Sequence, residues 1–267
     1  MSRPVPNENI FAPVKRRSPY FVLAVLAAFL LMMFCTTFPD QLILFPSTQH
    51  IDAHGAARET IPFHNGELEI WTARSRLAQQ RNHVDIYILR FYGNADRAER
   101  WVALEADAFG DRAIEVWGMN YPGFGGSSGP ARLKRMSPAG LAAFDALKSQ
   151  AENKPIYVFG ASIGSTVAMH IAANRDVRGL VLHNPKIPRD LDSIANAKRI
   201  HAPAIFLLAQ NDEIVPPRFQ RLVVDAFAGE KQAISLPGAY HNSPIEGAIV
   251  TEINRAYDWL FSAAPSP

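Results

Sequence analysis

Between residues 84 and 263 the chain alternates two kinds of apolar pattern. Short, nearly continuous runs rich in β-branched and aromatic residues stand at 84–93 (VDIYILRFYG), 113–123 (AIEVWGMNYPG), 155–162 (PIYVFGAS), 177–185 (VRGLVLHNP) and 204–212 (AIFLLAQND). Runs of this length, bounded by Gly, Pro or Asn, suit strands covered on both faces. Among them lie stretches at 101–111, 137–153, 165–176, 217–229 and 245–263 whose apolar residues recur at i, i+3 and i+4. That spacing gathers an apolar stripe along one side of a helix. The alternation of the two patterns predicts an α/β fold, a mostly parallel sheet with helices on both faces.

Residues 57–75 (ARETIPFHNGELEIWTARS) depart from this pattern, because two alternating runs flank Asn65-Gly66, a strong hairpin signal. An N-terminal antiparallel hairpin is expected to lead into the parallel sheet. Upstream, residues 20–38 (YFVLAVLAAFLLMMFCTTF) carry no charge, and as a helix they would span roughly 28 Å, close to the hydrocarbon thickness of a bilayer. No small-x-small cleavage site follows, so the expectation is an uncleaved transmembrane signal-anchor helix at 19–38. Lys15, Arg16 and Arg17 precede it and no Lys or Arg follows before Arg58. This asymmetry predicts a single pass with the N-terminus cytoplasmic and the rest of the chain on the periplasmic or extracellular side. Residues 1–18, polar and proline-bearing, read as a disordered cytoplasmic stub, and 39–264, without repeats or a linker, as one domain.

Composition removes several classes of function. With 27 basic and 25 acidic residues the chain has no strong field with which to gather nucleic acid. An apolar content of 48% and an aromatic content of 10% exclude a disordered or collagen-like chain. The single cysteine, Cys35, rules out an intramolecular disulfide and any CxxC metal or redox site.

Candidate chemistry centres on Gly160-Ala161-Ser162-Ile163-Gly164, which follows a predicted strand and opens a predicted helix. On a strand-turn-helix the GxSxG pattern describes a nucleophile elbow, whose tight turn needs small neighbours to raise the serine oxygen above the sheet. A serine hydroxyl needs a base, itself oriented by an acid. In the order Ser, acid, His, the acid belongs at the end of a later strand and the histidine near the last one. Asp212, after AIFLLAQN, and His241, after KQAISLPGAY, occupy those places, with Glu213 as a substitute acid. His183 also ends a predicted strand but precedes the acid in order. Backbone N–H groups of Ile163 and of Asn94, in the loop Phe91-Tyr92-Gly93-Asn94-Ala95, are the expected oxyanion donors. The glycines of YPGFGGSSG (121–129) serve tight turns, since the Lys-Ser/Thr of a phosphate loop is missing.

These residues resemble the α/β-hydrolase superfamily, and within it the membrane-anchored, small-lidded Bem46-like and ABHD-type group. The resemblance is carried by FPDQLILFPS at 38–47, YGNA at 92–95, NYPGFGGSSG at 120–129, GASIG at 160–164, NDEIVP at 211–216 and Tyr240-His241-Asn242. It implies an α/β-hydrolase fold and a membrane-tethered serine hydrolase acting on an acyl substrate, whether carboxylic ester, lipid or thioester, without metal or organic cofactor. One departure is Tyr92, where the group usually has a histidine before the glycine of the oxyanion loop. Only about twenty residues separate Pro185 from Ala204, so the cap is expected to be small or minimal. A serine peptidase on the same fold and a catalytically silent scaffold remain as alternatives.

Overall fold

The computed structural model describes residues 43–186 and 191–263, together with Tyr20, Leu23, Leu26 and Asp40. From Leu44 onward the chain forms one compact unit. Eight strands make a single sheet: β1 (Ala57–Phe63), β2 (Gly66–Arg74), β3 (Ile86–Phe91), β4 (Ile114–Met119), β5 (Ile156–Ala161), β6 (Gly179–His183), β7 (Ala204–Ala209) and β8 (Lys231–Leu236), in the spatial order β1-β2-β4-β3-β5-β6-β7-β8. The β1–β2 and β2–β4 pairs are antiparallel and the remaining five are parallel. Helices α1 (Arg76–Arg81), α2 (Ala98–Ala108), α3 (Leu133–Ala151), α4 (Ile163–Ala172), α5 (Ser193–Ala197), α6 (Pro217–Ala226) and α7 (Ile249–Ser262) fill the connections and the C-terminal end. This is the α/β-hydrolase fold, and no large cap stands among the described residues between β6 and β7.

The period-2 geometry of a strand explains why the central runs read as continuously apolar. Leu89, Val158, Leu182 and Phe206 face a core built with α3, α4 and Val223 of α6. Their neighbours Ile88, Phe159, Val181 and Ile205 face the opposite core, built with Val102 of α2 and Ile253, Ala256 and Leu260 of α7. Every position on these strands thus has an apolar layer to enter.

Local details differ from the sequence pattern for identifiable reasons. The hairpin turns at His64-Asn65 rather than Asn65-Gly66, with His64 at φ 53° and Gly66 already paired with Phe63. Gly66 is small because a Cβ there would lie 2.5 Å from the Ser128 Cβ. Helix α3 begins at Leu133, four residues ahead of the periodic stretch at 137–153, so Pro138 sits inside it. Helix α1, capped by the Ser75 hydroxyl accepting from the Ala78 N–H, had no periodic signal because it is six residues long.

The transmembrane signal-anchor expectation is corrected. No helix among the described residues is long and apolar enough to cross a membrane. Apart from Tyr20, Leu23 and Leu26, the segment expected to span lies outside the described residues, as does the stub at 1–18. An uncharged apolar run states what a helix could cross, not that such a helix stands in the structure.

Segment 44–49 runs along the carboxyl edge of the sheet. The Phe45 N–H donates to Asn94 Oδ1 at 3.0 Å, and the Ser47 carbonyl accepts from the Gly125 N–H and from Arg97 Nη1, each at 2.9 Å. Arg97, itself buried, pairs with the buried Glu99. The chain ahead of the hairpin is therefore strapped to the loop that follows β3.

Candidate active site

Ser162 stands between the last residue of β5 and the first of α4, with φ 51° and ψ −119°. A non-glycine residue in that region costs on the order of 1–3 kcal/mol and persists only where surrounding bonds hold it. Here its N–H donates to the His183 carbonyl at 2.9 Å, and its own carbonyl accepts from the Ser165 N–H and hydroxyl at 3.1 and 2.5 Å. The flanking glycines are a packing requirement. A Cβ on Gly160 would lie 2.6 Å from the Ser165 Cα, and one on Gly164 would run into the Phe91 and Tyr92 carbonyl oxygens.

His241 follows β8, and its Nδ1 lies 2.7 Å from Asp212 Oδ2. Both residues are buried. Hydrogen bonding to a carboxylate fixes the tautomer with the proton on Nδ1 and leaves Nε2 as the acceptor. Asp212 is held as firmly as it holds: Oδ1 accepts from the Ile214 and Val215 N–H groups at 2.9 and 2.6 Å, and Oδ2 accepts from Gln220 Nε2 at 2.9 Å. Glu213 does a different job, its carboxylate accepting the His241 backbone N–H at 3.1 Å. Asn184 completes the clamp, donating from Nδ2 to the His241 carbonyl at 3.0 Å and accepting the Ala209 N–H at 2.9 Å.

The loop after β3 passes the serine closely, since the one heavy atom within reach of a Cβ at Gly93 is the Ser162 Cβ, 3.7 Å away. Ala95, at φ 66°, bends this loop, and the Asn94 side chain turns to Phe45. Ile163 is buried at the first turn of α4. Tyr92 is buried too, its hydroxyl donating to Glu105 Oε2 at 3.0 Å and the Arg90 guanidinium lying 4.8 Å from its ring centre. Arg90 Nε donates to Glu105 Oε1 at 2.9 Å, and the Tyr121 hydroxyl donates to the Tyr92 carbonyl at 3.0 Å. Burial and then the Glu105 charge push the Tyr92 phenol well above its ordinary value, so it remains a donor. The loop thus has two tyrosines and an ion pair as its frame.

His183 lends its carbonyl to the elbow. Its imidazole is pushed down to about 4, by desolvation first and then by the charges of Arg90 and His241, so it is neutral at neutral pH. Gln220, Asn184, Glu105 and Arg90 were not legible as site residues, because each acts on a residue remote in sequence. No group of three or more His, Cys, Asp or Glu among the described residues could hold a metal ion.

A family model described as alpha/beta hydrolase fold matches residues 88–200. An uncharacterized protein of Mycobacterium tuberculosis is 30% identical over 184 residues, 60% of this chain and 64% of that protein, so the chain spans less than two thirds of the relative's length. The alpha/beta hydrolase domain-containing protein aho-3 of Caenorhabditis elegans is 25% identical over 144 residues, 48% of this chain and 43% of the relative. Among solved structures, the esterase Pf2001 of Pyrococcus furiosus is similar with a TM-score of 0.64 at 15% identity, over 82% of this chain and 95% of that one. Strand order, elbow and these matches agree, and the chain is a protein of the α/β-hydrolase fold.

Proposed function

We propose that the protein is a serine hydrolase acting on acyl esters, carboxylic or thioester, with Ser162 as nucleophile, His241 as general base and Asp212 as the group that orients the imidazole. The observation that carries this reading is the buried His241–Asp212 pair, 2.7 Å apart, in a fold whose elbow holds a serine in strained backbone. In the mechanism, Ser162 Oγ attacks the acyl carbon while its proton passes to His241 Nε2. The oxyanion is met by the backbone N–H groups of Ile163 and Asn94. Collapse expels the alcohol or thiol, which takes the proton from His241 and leaves an acyl-enzyme. Water, deprotonated by His241, then attacks the same carbon, and Ser162 recovers its proton as the acid leaves. The similar fold of the Pyrococcus furiosus esterase supports ester chemistry.

Labelling with a fluorophosphonate probe tests the reading without knowledge of the substrate. A single adduct on Ser162, absent from Ser162→Ala, is expected. In the same variant the hydrolysis of p-nitrophenyl esters should fall by roughly a thousandfold or more. A folded protein that takes no adduct would overturn the proposal in favour of a non-catalytic scaffold.

A further inference from the structure

A cavity of about 430 Å³ opens where the β1–β2 turn meets the first turn of α3. Phe63, His64, Ser128, Gly129, Lys134 and Arg135 line it, and no carboxylate does. Among the described residues neither Lys134 nor Arg135 takes part in an ion pair. The Arg135 Nε is buried without a hydrogen-bond partner. Two cations in the opening turn of a helix, with no acidic residue there, also run against the helix dipole. Lys134 is exposed and Arg135 partly buried, so an anion in the cavity would supply the counter-charge that the helix start lacks.

The Arg135 guanidinium is oriented. The Phe63 ring meets the His64 ring edge-on at 4.3 Å, and the Arg135 guanidinium lies 5.7 Å from the centre of the same ring. Gly129 leaves space for that guanidinium, because a Cβ there would approach its Nη2 to 3.1 Å. The Ser128 hydroxyl accepts from the Glu67 N–H at 3.2 Å, which leaves its proton to donate. A guanidinium, an ammonium, an imidazole and a hydroxyl in one lining offer more donors than a planar carboxylate accepts and suit the three free oxygens of a phosphate.

The position matters as much as the chemistry. Strand β2 runs antiparallel to β4, with Ile70 opposite Met119, so its first residue, Gly66, lies beyond the carboxyl end of β4. That is the edge from which Ser162 rises at the end of β5. Between β2 and β5 lie three strand spacings, about 14 Å across the sheet. We propose that this cleft is an anion subsite that receives a phosphate group, carried by an ester substrate whose acyl carbon lies at Ser162. Its role as a substrate subsite rests on the hydrolase reading, whereas phosphate binding does not.

The test uses the full chain with Ser162→Ala, so that no turnover interferes, titrated calorimetrically at low ionic strength with inorganic phosphate and with hexyl phosphate. Both ligands should bind, and the added changes Lys134→Met and Arg135→Met should weaken binding by about tenfold or more. Restoring the charges as Lys134→Arg and Arg135→Lys should recover most of it. Tighter binding of hexyl phosphate identifies an organic phosphate as the occupant, and equal binding identifies free phosphate, which overturns the substrate role. Absence of binding, or equal binding by the charge-removed variant with an unchanged thermal melt, overturns the site itself. Should the fluorophosphonate label fail while phosphate binding depends on these two residues, the hydrolase reading falls and the anion site stands.

Discussion

Gln220 donates from one amide nitrogen to both Asp212 Oδ2 and the Val215 carbonyl, at 2.9 and 2.7 Å, while its own oxygen is buried without a partner. The oxygen it bonds is the one that faces His241, so Gln220 positions the acid rather than touching substrate. Gln220→Ala should lower kcat by about tenfold with little change in KM, because the loss is one donor to an oriented charge. Steady-state hydrolysis of a p-nitrophenyl ester separates the two constants. The neighbouring carboxylates should also separate. Asp212→Asn leaves the imidazole without its acceptor and should cost roughly a thousandfold or more in kcat. Glu213→Gln, which alters only a bond to the His241 backbone, should cost far less, about tenfold or below. The pairing of Asp212 with His241 was readable because chain order and strand ends mark both residues. Gln220 was not, since an eight-residue offset across a proline-bearing turn leaves no pattern in a sequence.

At the level of elements, the elbow depends on close backbone approach between α4 and β3. Gly164→Ala drives a methyl into the Phe91 and Tyr92 carbonyl oxygens, and neither backbone segment can yield without moving the loop that follows β3. Overpacking of this kind costs about 1–3 kcal/mol, so a lowered thermal midpoint together with slowed fluorophosphonate labelling of Ser162 is expected. A midpoint lowered without slower labelling would separate the helix contact from the loop. The parallel strands were legible for the reason that makes them stable, an apolar layer on each face. Boundaries were less so. The hairpin shifted by one residue because Gly66 answers to Ser128, a contact 62 positions away that the local Asn-Gly signal cannot register. Helix α3 starts a turn ahead of the 137–153 pattern because Leu133 and Met136 reach the core, and tertiary burial extends the helix past its local periodicity.

Across the whole molecule, one partly buried base, the His183 imidazole, ties stability to pH. The folded His183 imidazole titrates at about 4, below its ordinary 6.5, so between these values the unfolded chain binds a proton that the folded chain refuses. This contribution is complete above pH 6.5 and is lost progressively as pH falls toward 4. Thermal melts across that window should show a declining midpoint, and His183→Gln should flatten the slope. The same scale holds the strap at residues 44–49. Its hydrogen bonds run from Phe45 to Asn94, from Gly125 to Ser47 and from Arg97 to Ser47. A pull on Leu44 is therefore borne first by the loop that follows β3, which makes that loop the mechanical anchor point of segment 44–49.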